Sequence, residues 1–340
     1  MRVAVYYSNN DVRPEERPLP TIGPGELLMR VRSSGICGSD LMEWYRKPKA
    51  PLVLGHEVAG VVEEVGERVE TFAVGDRIVT THHVPCNRCR YCLTDRHSVC
   101  PTLHSTTFDP GGFAEFVRLP AINVERGTFH LPEGVSFDEG SFVEPLACVV
   151  RGQRLTGIRP ADSIAVLGSG VSGILQIQLA RATGAGRIIA TDVSEQRIQL
   201  AMKFGADVAL RADGPQIVDK IIEANGGRHI DRVLVCAAAR SALEQALDVV
   251  DLGGSVLFFA PLLPGETLDY PAHDLWKRGI SIVHSYAGPP ADMRAALELI
   301  ATNRIDVANM VTHRLPLEET QAGFNLMEQA TDALKVIIEP

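Results

Sequence analysis

Four cysteines, Cys86, Cys89, Cys92 and Cys100, stand in the run CNRCRYCLTDRHSVC with two, two and seven residues between them. That spacing brings four soft thiolates within reach of one tetrahedral ion. Zn²⁺ takes four such ligands, and a closed Cys₄ site is structural because no position stays open for substrate. Asn87, Arg88, Arg90, Asp95, Arg96 and His97 fill the gaps. The segment from about 84 to 103 therefore reads as a polar lobe with little core, folded by its metal. Two disulfides in a secreted domain and an iron–sulfur cluster are the rival readings. The first conflicts with a long, signal-free chain. The second conflicts with the bacterial cluster run, which is shorter after its third Cys, although Pro101 does follow Cys100.

Upstream lie Cys37, in GICGSD, and the pair His56–Glu57, in LGHEVAG. One thiolate, one imidazole and one carboxylate leave a fourth position open, as a catalytic zinc requires. Singly, such residues are more often packing or satisfied core groups. Further on, Gly168, Gly170 and Gly173 form G-S-G-V-S-G. The first glycine permits a tight turn and the second lets backbone approach a pyrophosphate. The third lets helix and strand pack closely, with the helix opening at Val171 aimed at the phosphates. Asp192 ends the next apolar run, where a carboxylate accepts hydrogen bonds from ribose hydroxyls and repels a 2′-phosphate. This favours NAD over NADP. Asp192 could instead cap the helix that begins at SEQR. Arg197 could hold a 2′-phosphate, stack beside the adenine or lie on a solvated helix face.

These groups need two kinds of scaffold. Residues up to about 145 carry short Val- and Gly-rich bursts such as ELLMRVRSSGIC, EVAGVVEEVG and FAEFVRLP, which read as strands with tight turns in a β-rich, partly barrel-like domain. From SIAVLGSG onward, apolar strands alternate with helical stretches, including one from about Pro215 to Asn225. This is the signature of βαβ units and a parallel sheet. After His284 come a helix, PADMRAALELIATN, and a final strand, ALKVIIEP, which are expected to return to the first domain.

The bulk numbers fit two domains in 340 residues, 45% hydrophobic and 22% charged. A net charge of −9 argues against nucleic acid as partner. No apolar run reaches membrane-spanning length, and seven cysteines without an export signal suit a reducing cytoplasm.

Taken together, GICGSD, the GHEVAGVVEEVG run, the four-Cys lobe and VLGSGVSG with Asp192 resemble the zinc-containing medium-chain dehydrogenases. The likeness extends over nearly the whole chain and is nearest the polyol and threonine branch. It implies a GroES-like catalytic domain over 1–146, a Rossmann doubly wound NAD-binding domain over 147–286 and a return to the catalytic domain over 287–340. It implies one catalytic and one structural Zn²⁺ per chain, and a homodimer or homotetramer. Cys37 and His56 are similar to the family's catalytic zinc ligands. Glu57 matches a carboxylate that binds the ion or swaps with water, and Glu144, in FVEPLACVV, matches one that ligates the ion or holds its water. An ion pair with Arg151 is the plainer reading of Glu144. Ser39 matches a relay hydroxyl, with a helix cap before Asp40 as its plainer role. His83 matches a pocket histidine of the threonine branch, although Met42 stands where that branch has a second His. Trp44, Tyr45, Phe108 and Tyr286 lie in segments that wall the pocket in relatives. Ser285 replaces an Arg of sorbitol dehydrogenases, so a cyclitol, aminocyclitol, sugar or amino alcohol stays open as substrate. The implied reaction is oxidation of a secondary alcohol to a ketone. A zinc-independent quinone or enoyl reductase and a non-catalytic NAD-binding zinc protein are the alternatives.

Overall fold

The computed structural model describes residues 1–329 and 332–340. The chain divides into two units. One comprises Met1–Ala147, Ala287–Asn303 and Val307–Pro340; the other comprises Cys148–Tyr286 and Arg304–Asp306. Among the described residues no helix is long and apolar enough to cross a membrane.

The first unit is built on a seven-stranded sheet. Its strands run in the order Val311–Pro316, Lys335–Glu339, Leu27–Gly35, Glu57–Val65, Arg77–Thr80 and Thr128–His130, and Phe116–Leu119 also pairs with Leu27–Gly35. A smaller sheet joins Asp11–Glu16, Arg2–Ser8 and Leu52–Val53. Val3, Val5, Leu27, Met29, Val31, Val58 and Ile78 share one buried cluster, the product of apolar faces that alternate along each strand. The chain end joins this sheet through Ile337 opposite Gly35 and Ile338 opposite Ser34.

That junction carries a charge. Lys335, in the apolar strand KVIIE, forms an ion pair with Glu57 in which each side chain is 1% exposed. Its Nζ also donates to the Ile36 carbonyl at 3.2 Å and lies 5.3 Å from the centroid of the Phe142 ring. Gly35 makes the room: a Cβ there would collide with the Glu57 carboxylate and the Lys335 side chain.

The second unit holds six parallel strands, Ile164–Leu167, Ile188–Asp192, Val208–Arg211, Ile230–Val235, Val250–Phe258 and Ser281–His284. Numbered one to six in chain order, they lie 3-2-1-4-5-6, which is the doubly wound Rossmann order with its switch point beside the first strand. The central strand Ile164–Leu167 is wholly buried, as a sheet covered on both faces requires. The helix expected from about Pro215 to Asn225 spans Ile217–Ala224. It stops there because the Asn225 side chain turns back to donate to the Arg228 and His229 carbonyls, and Gly226 and Gly227 follow at positive φ.

Removing one half of a buried ion pair leaves the other charge uncompensated. Lys335→Met is therefore expected to lower unfolding free energy by about 3–5 kcal/mol, with Lys335→Met/Glu57→Gln recovering most of the loss. Urea melts of the two variants test this; a single variant as stable as the parent would show that the pair carries no structural weight.

Candidate metal and dinucleotide sites

In the cysteine lobe the four thiols converge, with their ligand atoms within 4.8 Å of one another. Cys89 and Cys92 sulfurs are 3.5 Å apart and those of Cys86 and Cys100 3.6 Å. Sulfurs bound to a tetrahedral zinc at ~2.3 Å would stand about 3.8 Å apart, whereas a disulfide needs about 2.05 Å. The disulfide reading is therefore excluded, and none of the seven cysteines is in a disulfide. Backbone N–H groups already point at the sulfurs: Cys86 donates to Cys100 Sγ at 3.4 Å and Cys89 to Cys86 Sγ at 3.3 Å. Burial opposes ionisation of Cys100, but the donors from Cys86 and Leu103 prevail and bring its pKa to about 6, which favours a thiolate ligand. Asn87 and Asp95 take the left-handed backbone conformation that bends the lobe round its sulfurs. Apart from the cysteines, the lobe's local apolar cluster contains only Leu103 and Ala287 as buried members. The donor set fits Zn²⁺.

A second convergence joins Cys37, His56 and Glu57, again within 4.8 Å. Cys37 caps the short helix Gly38–Leu41: its Sγ accepts from Ser39 N at 3.4 Å, and its own N–H donates to Asp40 Oδ2 at 3.0 Å. The cap is thus Cys37 and not Ser39, because the thiol and Asp40 satisfy the helix start reciprocally. The sequence reading treated Asp40 only as a helix start. In the structure it is fully buried, and its Oδ1 lies 3.4 Å from His56 Nδ1 and 3.5 Å from Arg46. A carboxylate on one ring nitrogen fixes the tautomer and leaves Nε2 for a metal. Burial favours the neutral form of Asp40, but His56 and Arg46 outweigh it and hold its pKa below the usual range. Ser39 Oγ lies 3.5 Å from His56 Nε2 and accepts a hydrogen bond from Arg46 at 3.1 Å. The thiolate, imidazole and carboxylate set fits a catalytic zinc.

Glu144 has a different company. It groups with His82 and His83, all ligand atoms within 4.8 Å. The His82 ring centroid is 4.8 Å from that of His56 and 3.7 Å from that of His83. Burial, with the neighbouring imidazoles His83 and His56, pushes His82 well below its ordinary pKa; burial and His56 push His83 down to about 3. Both are neutral imidazoles at physiological pH. Phe108 is buried, 6.1 Å from the His82 ring centroid. Trp44 and Tyr45 are exposed on the short helix Glu43–Arg46, and Tyr286 is exposed in the second unit.

In the second unit the glycine loop follows the strand Ile164–Leu167. Gly168 has φ +97°, and a Cβ on Gly173 would strike the Gly168 carbonyl. Gly170 caps the helix Val171–Ala182 without a side-chain hydrogen bond, leaving N–H groups at its start for an anion. Asp192 Oδ2 accepts from Ser169 N at 2.8 Å and Oδ1 from Ser194 N at 2.9 Å, so the carboxylate is pinned to the loop. The next helix, Glu195–Lys203, has Ser194 as its N-cap residue, not Asp192. Arg197 is buried, which rules out a solvated face; burial lowers its pKa, against the pull of Asp192.

Comparison with known proteins agrees with this arrangement. Residues 23–132 match the alcohol dehydrogenase GroES-like domain, and residues 172–302 match the zinc-binding dehydrogenase domain. Sorbitol dehydrogenase of Bacillus subtilis is 30% identical over 100% of this chain and 97% of its own length. The chain belongs to the zinc-containing medium-chain dehydrogenase family. Among solved members, one described as a zinc-binding dehydrogenase of Sinorhizobium meliloti, bound to NADP, is 29% identical with a TM-score of 0.89 over 100% of this chain and 99% of that one. A 2R,3R-butanediol dehydrogenase of Bacillus subtilis is 25% identical with a TM-score of 0.85, at the same coverage. As a medium-chain dehydrogenase the chain is an oxidoreductase of a family that binds zinc and acts on small molecules.

Asp40 touches two members of the set, accepting from Cys37 N and lying beside His56 Nδ1. Asp40→Asn is expected to weaken zinc affinity by about 10–100-fold. Competition against a chromophoric chelator measures it, and unchanged affinity would remove Asp40 from the account.

Proposed function

We propose that this protein reversibly oxidises a secondary alcohol, of the polyol, cyclitol, sugar or amino-alcohol class, to a ketone with hydride transfer to NAD. The observation that carries this reading is the convergence of Cys37, His56 and Glu57, with Asp40 behind His56. The sorbitol and butanediol dehydrogenases among its relatives support a vicinal or polyhydric secondary alcohol.

In this reading Cys37 and His56 hold a zinc ion, with Glu57 as third ligand or alternate to water. Once bound, the ion polarises the substrate oxygen and the nicotinamide accepts the hydride. The rest of the work falls to the chain. Asp40 keeps the His56 ring in place. Arg46 occupies a lone pair of the Ser39 oxygen, so the Ser39 hydroxyl is left to exchange a proton with the substrate hydroxyl. Phe108 helps exclude water, and Trp44 and Tyr45 offer apolar walls. Tyr286 and Glu144 are assigned to substrate contact and to holding water or metal.

On the cofactor side, Gly168, Gly170, Val171 and Gly173 take the pyrophosphate. Asp192 retains lone pairs beyond those used by Ser169 and Ser194, enough to accept from a ribose. Its negative charge disfavours a 2′-phosphate, which supports NAD despite the NADP-bound relative and the nearby Arg197.

A panel of polyols, inositols, aminocyclitols, aldoses, threonine and simple secondary alcohols, followed by NADH absorbance, tests the reaction. Cys37→Ala is expected to lower kcat/KM by at least about a thousandfold, roughly 4 kcal/mol of transition-state stabilisation, with NADH affinity retained. Turnover near the parent's would sink the zinc assignment. Asp192→Asn is expected to shift the NAD⁺/NADP⁺ preference towards NADP⁺ by about tenfold or more, equivalent to ~1.4 kcal/mol. An unmoved ratio would assign the selectivity elsewhere.

A further inference from the structure

The short helix Glu43–Arg46 and the turn Lys47–Lys49 crowd Arg46, Lys47 and Lys49 together in a chain whose net charge is −9. Lys47 is answered by Glu43 at 3.4 Å. Arg46 is turned inward, its side chain 16% exposed. Its Nε donates to the Ser39 carbonyl at 3.0 Å and its Nη2 to Ser39 Oγ at 3.1 Å, with Asp40 Oδ1 3.5 Å from Nη2. Its Nη1 makes no hydrogen bond among the described residues. Lys49 is exposed and pairs with no carboxylate among the described residues. Its Nζ lies 3.5 Å from the centroid of the Tyr45 ring, and the guanidinium carbon of Arg46 lies 4.9 Å from the same point. One ring thus gathers two cations. The Tyr45 phenol feels both: its hydrogen bond with Lys49 and the charges of Lys49 and Arg46 lower its pKa against the effect of burial. The segment is anchored at each end. Asn9 donates to the Leu41 carbonyl at 2.9 Å, and Leu52 pairs with Tyr6.

Resting on the alcohol chemistry proposed above, we infer that the substrate is an anionic secondary alcohol, a polyol or sugar whose phosphate or carboxylate is received by Lys49 and the Nη1 edge of Arg46. Ser39 sets the place. Its hydroxyl lies one hydrogen bond from Arg46 and 3.5 Å from His56 Nε2, so a substrate oxygen that meets Ser39 is already close to the guanidinium. The internal duties of these cations do not exhaust them. Arg46 answers Asp40 and holds Ser39 with Nε and Nη2, which leaves Nη1. An ammonium has three N–H donors, and Lys49 gives one to the Tyr45 side chain. Donors on charged nitrogens make bonds to an oxyanion roughly twice as strong as neutral ones. A neutral polyol draws little from a lysine without a counter-charge, whereas an anionic one supplies that charge. A cationic patch on an otherwise acidic protein also steers anions to this position.

Calorimetric titration of the zinc-loaded protein with NADH bound, where an alcohol can bind but cannot be oxidised, tests this. The ligands are sorbitol, sorbitol 6-phosphate, gluconate and inorganic phosphate. The phosphate ester or the carboxylate is expected to bind about 10–100-fold more tightly than sorbitol, the range of a hydrogen bond to a charged group; the tighter of the two names the substituent. High salt is expected to narrow the gap, and Lys49→Gln and Lys49→Glu to narrow it further, the second more than the first. Lys49 is the residue to change because Arg46 also holds Ser39. Equal affinity for sorbitol and both anionic ligands would overturn the inference. So would a preference that Lys49→Glu leaves in place, or inorganic phosphate binding as tightly as the ester, since the cations would then take any anion. NAD⁺ reduction is read separately. Lys49-dependent binding without turnover would sink the alcohol chemistry and leave the anion site, while turnover of neutral alcohols with no anion preference would do the reverse.

Discussion

Buried charge needs an opposite charge within reach, and this requirement organises the centre of the first unit. Asp40 is enclosed and answered by His56 and Arg46. Glu57 is enclosed and answered by Lys335. Desolvating each ion singly would cost several kcal/mol, so the surrounding backbone is arranged to keep partners together. Gly35 lacks the side chain that would separate Glu57 from Lys335, and the Cys37 cap holds Asp40 facing His56. Cys37, His56 and Glu57 thus stand among buried charges that reach from Asp40 to Lys335.

In the second unit the controlling constraint is steric. The Gly168 carbonyl and the Gly173 Cα come so close that no side chain fits between them. That approach seats the helix Val171–Ala182 against the central strand, with its free N–H groups beside the switch point of the sheet. Asp192 then ties the end of the neighbouring strand to the same loop through Ser169. The glycine loop and the Asp192 carboxylate are therefore joined directly, from the start of one helix to the end of the neighbouring strand.

What could be read from the sequence was whatever depends on short spacing. The convergence of Cys86, Cys89, Cys92 and Cys100 follows from gaps of a few residues, and the glycine loop from its place between strand and helix. The alternation of strands and helices after residue 163 gave the parallel sheet, and the family resemblance gave its doubly wound class. What stayed hidden depends on distant partners. Asp40 looks like a helix start until His56 is folded over it. Lys335 is one cation in an apolar strand, and only the antiparallel pairing with Leu27–Gly35 brings it to Glu57. A lysine inside a strand that otherwise reads as buried on both faces was the available signal. His82 drew less notice than His83, since a pair of adjacent histidines gives no periodicity to interpret.

The hydrogen bond from Lys335 to the Ile36 carbonyl joins residues 299 positions apart in the chain, with the whole stretch Cys148–Tyr286 nested between them. Closing so long a flexible loop is entropically costly and kinetically slow. The nested stretch has its own parallel sheet and its own core, so it can collapse first and replace a floppy connection by a compact one. A route that folds the inside of the sequence first would lower the cost of bringing the ends together. On such a route the strand bearing Lys335 would pair with Leu27–Gly35 only after the nested stretch has formed, and the buried contact with Glu57 would be completed then.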